Sequence, residues 1–172
     1  MQRQPTRLPG FPLRVVALAT ALAGQTVAAL AACPMELAVY REPETGAMID
    51  FRPGRNATVT NAFRMVFDRG VVLDGVVMWD GEVARPVGML THDCPEGDAT
   101  GEELEACTVW EGVVYAADEQ GNIDLMPPEG ADAPNSLILT DLGRALRLSA
   151  AYDAAGLAAA PWDVFSLHGC QE

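Results

Sequence analysis

Between residues 35 and 126 this chain runs at most about a dozen residues before meeting a Gly, Pro or Asp turn signal, and apolar and polar side chains alternate between those signals. A period of two marks a strand with one buried face. Connections this short cannot carry the helical crossovers of a parallel sheet, so successive strands must run antiparallel. Met35 to Tyr40 reads as a first strand, returned through Pro43-Glu44-Thr45-Gly46 by Met48, Ile49 and Phe51. Pro53-Gly54 ends that hairpin. From Thr58 to Phe67, Phe63, Met65 and Phe67 alternate with Arg64 and Val66. Asp68-Arg69-Gly70 turns the chain into Val71-Val72-Leu73, then Asp74-Gly75, then Val76-Val77-Met78-Trp79. Asp80-Gly81 signals a tight hairpin, because both central positions of such a turn favour positive φ. The partner strand is Glu82 to Leu90, with Pro86 placing part of it at an edge or bulge. Thr108 to Ala116 is a further strand, turned by Asp118-Glu119-Gln120-Gly121-Asn122 into Ile123-Asp124-Leu125-Met126.

The period changes at residue 140. Leu142, Ala145, Leu146 and Ser149 lie three or four apart, which predicts one helix near 141–152 capped by Thr140. Gly143 weakens it by up to about 1 kcal/mol. Trp162 to His168 alternates again and delivers Cys170 at the end of a last strand. The fold class that follows is mainly β: a small antiparallel domain, sandwich or partly open barrel, with one short helix in its C-terminal half.

Ahead of this domain the composition differs. Arg3, Arg7 and Arg14 open the chain with no acidic residue, and residues 15–32 carry no charge. A basic start, an apolar run and an Ala29-Leu30-Ala31 exit are the parts of a secretory signal peptide, assigned to residues 1–32. Residues 33–172 are then a single exported domain that does not insert in a membrane once the leader is cleaved. Leu30-Ala31-Ala32-Cys33 also resembles the lipobox of bacterial lipoproteins, which implies an acylated Cys33 and an envelope anchor as the alternative to a soluble periplasmic or extracellular protein.

Four cysteines in an exported chain allow three pairings. Cys94 and Cys107 bracket one acidic loop, while Cys33 and Cys170 stand at the two ends of the mature chain, so the spacing favours Cys94–Cys107 with Cys33–Cys170. Acylation would remove Cys33 and leave an odd number. There is no C-x-x-C, and His92 and His168 are the only imidazoles available to join the thiols at a metal.

All 24 acidic residues follow the leader, against eight of the eleven arginines and no lysine, a mature net charge of −16. Phosphate backbones and anionic membranes repel such a surface, which excludes nucleic-acid binding. A cationic protein or a divalent cation is the partner class left open. The densest acidic stretch is Asp93, Glu96, Asp98, Glu102, Glu103 and Glu105, a candidate binding loop with the oxygen donors that hard cations take. The EF-hand template fails there, since Gly101 at its sixth position puts Cys107 where the bidentate Glu belongs. Asp118, Gln120, Asn122, Asp124 and Glu129 have calcium-loop spacing, yet Ile123 occupies the position that demands Gly, so a hairpin turn is the simpler reading. His92 next to Asp93 could act with His168 if the bridges bring the segments together. Asn56-Ala57-Thr58 matches a glycosylation acceptor, relevant only to a eukaryotic secretory route.

No G-x-S-x-G or other nucleophile motif is present, and no cofactor motif appears. The expectation is a non-enzymatic exported structural or binding domain, with no catalytic residue assigned. Two alternatives stand beside it. One is an acidic inhibitor or binder of a cationic envelope protein. The other is a small hydrolase using a carboxylate pair, one member of which would need a raised pKa. Trp79, Trp110, Tyr115 and Trp162 fall on strands or at their ends, as core residues or, if clustered at the surface, as a recognition patch.

Overall fold

Nine strands make up the fold: β1 (Ala38–Arg41), β2 (Met48–Arg52), β3 (Val59–Val66), β4 (Val72–Asp80), β5 (Arg85–Thr91), β6 (Thr108–Ala117), β7 (Ile123–Leu125), β8 (Ser136–Leu139) and β9 (Val164–Cys170). Three short helices accompany them, α1 (Gly101–Cys107), α2 (Leu142–Leu148) and α3 (Ala150–Ala154). The structure is a computed structural model, and it describes residues 32–54, 59–95, 97, 99–154 and 156–172. The leader except Ala32, the Asn56-Ala57-Thr58 triplet, Glu96 and Asp98 lie outside the described residues. Ala31–Glu172 pack as one unit.

The strands pair in the order β5-β4-β3-β2-β1-β9-β8-β6, and β5 pairs again with β6, closing an eight-stranded antiparallel barrel. β7 is the ninth strand and adds to β6 opposite Tyr115, Ala116 and Ala117, beyond the last β5 pair at Val113. Of the two architectures left open by the sequence, the chain adopts the barrel, and it is fully closed. Closure satisfies both edges of every barrel strand that an open sheet would expose.

Alternate residues of each strand fill the lumen. Tyr40 of β1 meets Phe51 of β2 edge-on with centroids 5.9 Å apart, and Phe51 lies 5.5 Å from Phe63 of β3. Phe63 pairs with Gly75 of β4, and its ring occupies the place where a Cβ on Gly75 would sit. This explains why Asp74-Gly75, which reads as a break, lies inside one continuous β4. Gly88 of β5 leaves room in the same way for the indole of Trp110. Met65, Leu73, Leu90, Leu137, Leu139 and Phe165 complete a lumen packed with side chains, as eight strands allow. Asn61 of β3 is the polar exception, buried with neither end of its amide bonded to protein.

Several local expectations are corrected. Met35–Leu37 is a turn of 3-10 helix closed by the Leu37 N–H on the Pro34 carbonyl (3.0 Å), so the first strand starts at Ala38. The β4–β5 connection is a four-residue loop, since Asp80 pairs with Arg85. The Asp80 carboxylate accepts from the N–H groups of Glu82 (2.8 Å) and Val83 (3.3 Å), and positive φ falls on Ala84 and not on Gly81. The helix expected near 141–152 divides at Ser149 into α2 and α3, and Thr140 does not cap it. β8 is an additional strand: Leu137-Ile138-Leu139 is an apolar run too short to show a period. Inside the Cys94–Cys107 loop, α1 gives Glu102-Glu103-Leu104-Glu105 a solvated helical turn, which is the alternative to a cation site.

Because successive barrel strands alternate in direction, the connections fall at two ends. Cys33–Cys170, the 3-10 turn, the β4–β5 loop and residues 126–135 lie at one, which holds both chain termini of the domain. The β1–β2 turn, the Cys94–Cys107 loop and the segment 140–163 with α2 and α3 lie at the other, helical end.

Candidate functional site

At the helical end, Leu142 and Leu146 of α2 and Ala151 of α3 are buried against the mouth of the barrel. α2 is placed there by a residue twenty positions away. Asp141, in the left-handed region at φ 60°, provides no capping side chain; instead the Asp163 carboxylate accepts from the N–H groups of Asp141 (2.9 Å) and Gly143 (3.0 Å). Gly143 is required by close approach, because a Cβ there would stand 2.4 Å from the Pro161 carbonyl oxygen. Thr140 anchors the segment to β6: its hydroxyl donates to the Val113 carbonyl (2.9 Å), and its own carbonyl accepts from the Trp110 indole (2.9 Å).

These contacts leave an open cleft of about 490 Å³ between α2 and the segment leading into β9, lined by Arg144, Arg147, Pro161, Trp162, Asp163 and Val164 among others. Its size and largely apolar lining are those of a small-molecule site. Trp162 is 66 % exposed and Val164 46 %. The two side chains line the cleft together. The Trp162 indole N–H donates to the Glu44 carboxylate from the β1–β2 turn (2.8 Å). A smaller recess of about 240 Å³ lies beside the cleft, lined by Glu42, Pro43, Glu44 and Ser166 together with the same Trp162 and Val164.

Glu42 holds that turn. It is buried, and its carboxylate accepts from the N–H groups of Glu44 (2.9 Å) and Thr45 (2.7 Å) and from the Thr45 hydroxyl (2.6 Å). Desolvation raises its pKa, but the hydrogen bonds from Thr45 and Glu44 together outweigh it and leave the group below the usual carboxylate value. In the cleft, Arg144 is fixed on Asp141 through Nε and a terminal nitrogen, the shortest contact being 2.7 Å. Its side-chain hydrogen bonds first, then its charge, pull the Asp141 pKa down. Arg147 forms no ion pair among the described residues and lies 6.0 Å over the Tyr152 ring.

The acidic loop is organised differently. Cys94 and Cys107 are bonded, and α1 buries none of its residues. Thr100 and Glu103 form a capping box, in which the Glu103 carboxylate accepts from the Thr100 N–H and hydroxyl, both at 2.9 Å. Those two bonds, the backbone one first, lower the Glu103 pKa. Asp93, Glu102 and Glu105 are exposed. Glu103 is thus committed to holding the helix, and among the described residues no three carboxylate, imidazole or thiol groups converge as ligands would.

The Asp118 segment is a hairpin turn. The Asp118 carboxylate accepts from the N–H groups of Gln120 (2.9 Å) and Asn122 (2.8 Å) and the Asn122 side-chain amide (2.7 Å), while Glu129 accepts from the Gly54 N–H. The histidines do not meet. His92 follows β5 at the helical end, with Nδ1 3.6 Å from Asp93, and His168 is near the end of β9 at the opposite end. The bridges cannot bring the two segments together because they sit at opposite ends themselves. Trp110 is core, whereas Trp79 and Trp162 are exposed at opposite ends and form no cluster. The cleft was the feature missed from sequence. Its signal is Pro161-Trp162-Asp163-Val164, an aromatic and a β-branched residue two apart at the start of a strand.

Comparison with protein-family models, with curated proteins and with solved structures finds no match for this chain.

Proposed function

We propose that the chain is the precursor of an exported, non-catalytic binding domain that takes its ligand in the cleft beside Trp162. The observation that carries this reading is the division of labour in the barrel. The lumen is filled by Tyr40, Phe51, Phe63, Trp110 and Phe165, while a large indole is left in solvent and oriented by a hydrogen bond to Glu44. Burying a pre-oriented aromatic gives much contact area at low entropic cost.

Two disulfides suit an oxidising compartment, and among the described residues no helix is long and apolar enough to cross a membrane. With the leader sequence these favour a periplasmic or extracellular product. The bridge to Cys170 occupies the Cys33 thiol, so a lipid anchor there would have to replace it. The carboxyl groups whose acidity the fold changes are poor candidates for the general acid of the hydrolase alternative. Glu36, Glu42, Glu103, Asp118 and Asp141 are all made stronger acids, the reverse of what a general acid needs.

Small aromatic and aliphatic probes screened by ligand-observed NMR should give hits on the mature domain that disappear in Trp162→Ala and persist in Trp79→Ala. Hits indifferent to Trp162, or turnover of any glycoside by the wild type, would overturn the proposal. The solvated carboxylates of α1 favour a second, separate surface for a cationic protein, since the bridge and the capping box hold Glu102 and Glu105 outward.

A further inference from the structure

We infer that the ligand of the Trp162 cleft is a small organic acid, an apolar body carrying one carboxylate that pairs with Arg147; this rests on the cleft being the binding site. The warrant is the state of each charge around it. Asp141 and Arg144 neutralise each other through a side-chain pair. Asp163, which also lines the cleft, is oriented by the N–H groups of Asp141 and Gly143, one on each oxygen, and these bonds leave its charge in place. Glu44 is held on the far side of the indole by Trp162 Nε1. Arg147 keeps a guanidinium with no carboxylate partner among the described residues; it lies 6.0 Å over the Tyr152 ring on the exposed side of α2, which leaves its N–H groups open to a ligand.

In a mature chain of net charge −16, Arg147 is the cation of this mostly apolar cleft that is left to meet an anionic ligand. A second cation in the ligand would meet Arg147 as a like charge, whereas a carboxylate can accept two parallel N–H bonds from it. Repulsion from the more distant acids is screened beyond about 8 Å at physiological salt, which leaves Asp163 and Glu44 as the nearby carboxylates that a ligand anion has to avoid by sitting on the Arg147 side. The remaining surface sets the rest of the ligand. Pro161, Trp162 and Val164 form an apolar wall, and Trp162 stacks an aryl or alkyl body. A volume of about 490 Å³ admits a molecule of roughly fragment to drug size and no folded partner.

The test compares 4-phenylbutyrate with the neutral 4-phenylbutyramide on the mature, disulfide-bonded domain, by calorimetry and by NMR of the tryptophan indoles. The acid should bind at least about tenfold more tightly than the amide at low salt, and the ratio should shrink on raising salt. Arg147→Gln should bring the ratio close to one with the melting temperature nearly unchanged, because the side chain is exposed and gives up only a ring contact with Tyr152 at 6.0 Å. Arg147→Lys should restore part of it, and Arg52→Gln on the barrel flank should leave it intact. Equal binding of acid and amide by the wild type would overturn the acid assignment while leaving a binding cleft. A preference that survives in Arg147→Gln would also overturn it. If no probe, charged or neutral, depends on Trp162, the binding reading itself fails. The wild-type salt dependence decides the matter even if a variant folds poorly.

Discussion

The two ends of the barrel solve the same problem, covering an apolar mouth, by different chemistry. At the end holding the termini the cover combines the buried Met35 side chain with hydrogen bonds to backbone carbonyls. The Met35 N–H donates to the Ala131 carbonyl (2.9 Å), the Ala133 N–H to Cys33 (2.8 Å), the Tyr40 hydroxyl to Pro134 (2.8 Å) and the Gln171 side chain to Phe51 (2.6 Å). The Cys33–Cys170 bridge then fixes first strand to last. At the helical end the cover is side-chain burial by Leu142, Leu146 and Ala151 on helices of seven and five residues. Pairing through the backbone consumes polar groups. Burial of Leu142 and Leu146 leaves Arg147 of the same helix exposed at the helical end, beside Trp162 and the α1 carboxylates. The candidate cleft lies at the end covered by helices.

Reduction of the bridges is the largest way to separate the ends. On the chain-entropy account, Cys33→Ser with Cys170→Ser, which opens a separation of 137 residues, should cost about 5 kcal/mol. Cys94→Ser with Cys107→Ser, a separation of 13, should cost about 3 kcal/mol. Chemical denaturation of both double variants checks the order, and equal losses would remove the distinction between the ends. Before either, the mass of the mature chain should show a start at Ala32 or Cys33 and no thiol open to alkylation.

Gly143→Ala attacks the helical end alone. Its new methyl meets the Pro161 carbonyl, a backbone atom that cannot rotate away, so a loss of about 1–3 kcal/mol is expected from overpacking. The same variant should perturb the indole NMR signal of Trp162 and leave that of Trp79 in place. An unchanged Trp162 signal would show that α2 and the β9 lead-in are not coupled as described.

The ends should also differ in pH response. Burial raises the Tyr40 pKa above its ordinary 10.0, so its contribution is whole below pH 10 and is lost as pH rises beyond it. Tyr40→Phe should therefore flatten the alkaline limb, while losing about 1 kcal/mol at neutral pH with the Pro134 hydrogen bond. Glu42 has a folded pKa below its ordinary 4.5, so its contribution is present above pH 4.5 and is lost as pH falls through the folded value. Glu42→Gln should flatten the acid limb. Melting curves of both variants across pH test the assignments.

The smallest expected effect is at α1. Changing Glu102, Glu103 and Glu105 together to Gln should leave the melting temperature of the barrel nearly unchanged, because α1 buries nothing. It should weaken capture of a basic protein such as lysozyme in a salt-dependent manner. A calcium-dependent rise in melting temperature, absent from the triple variant, would assign the loop to a cation instead.

The mainly β class, most strand positions and both disulfide pairings were legible from local pattern. Period-two alternation and turn residues are properties of a few consecutive positions, and the Cys94–Cys107 spacing encloses a loop that has little else to order it. Only the tertiary structure decided that the sheet closes, that β4 runs straight through Gly75, and that Asp163 caps α2. Each depends on a group far away in sequence: the Phe63 ring above Gly75, the β5–β6 pairing that closes the wall, the carboxylate twenty residues after Gly143. The cleft belongs to the same class. Trp162 is an ordinary strand-end aromatic in sequence, and it becomes an exposed, oriented surface because Glu44 and α2 reach it from other parts of the chain.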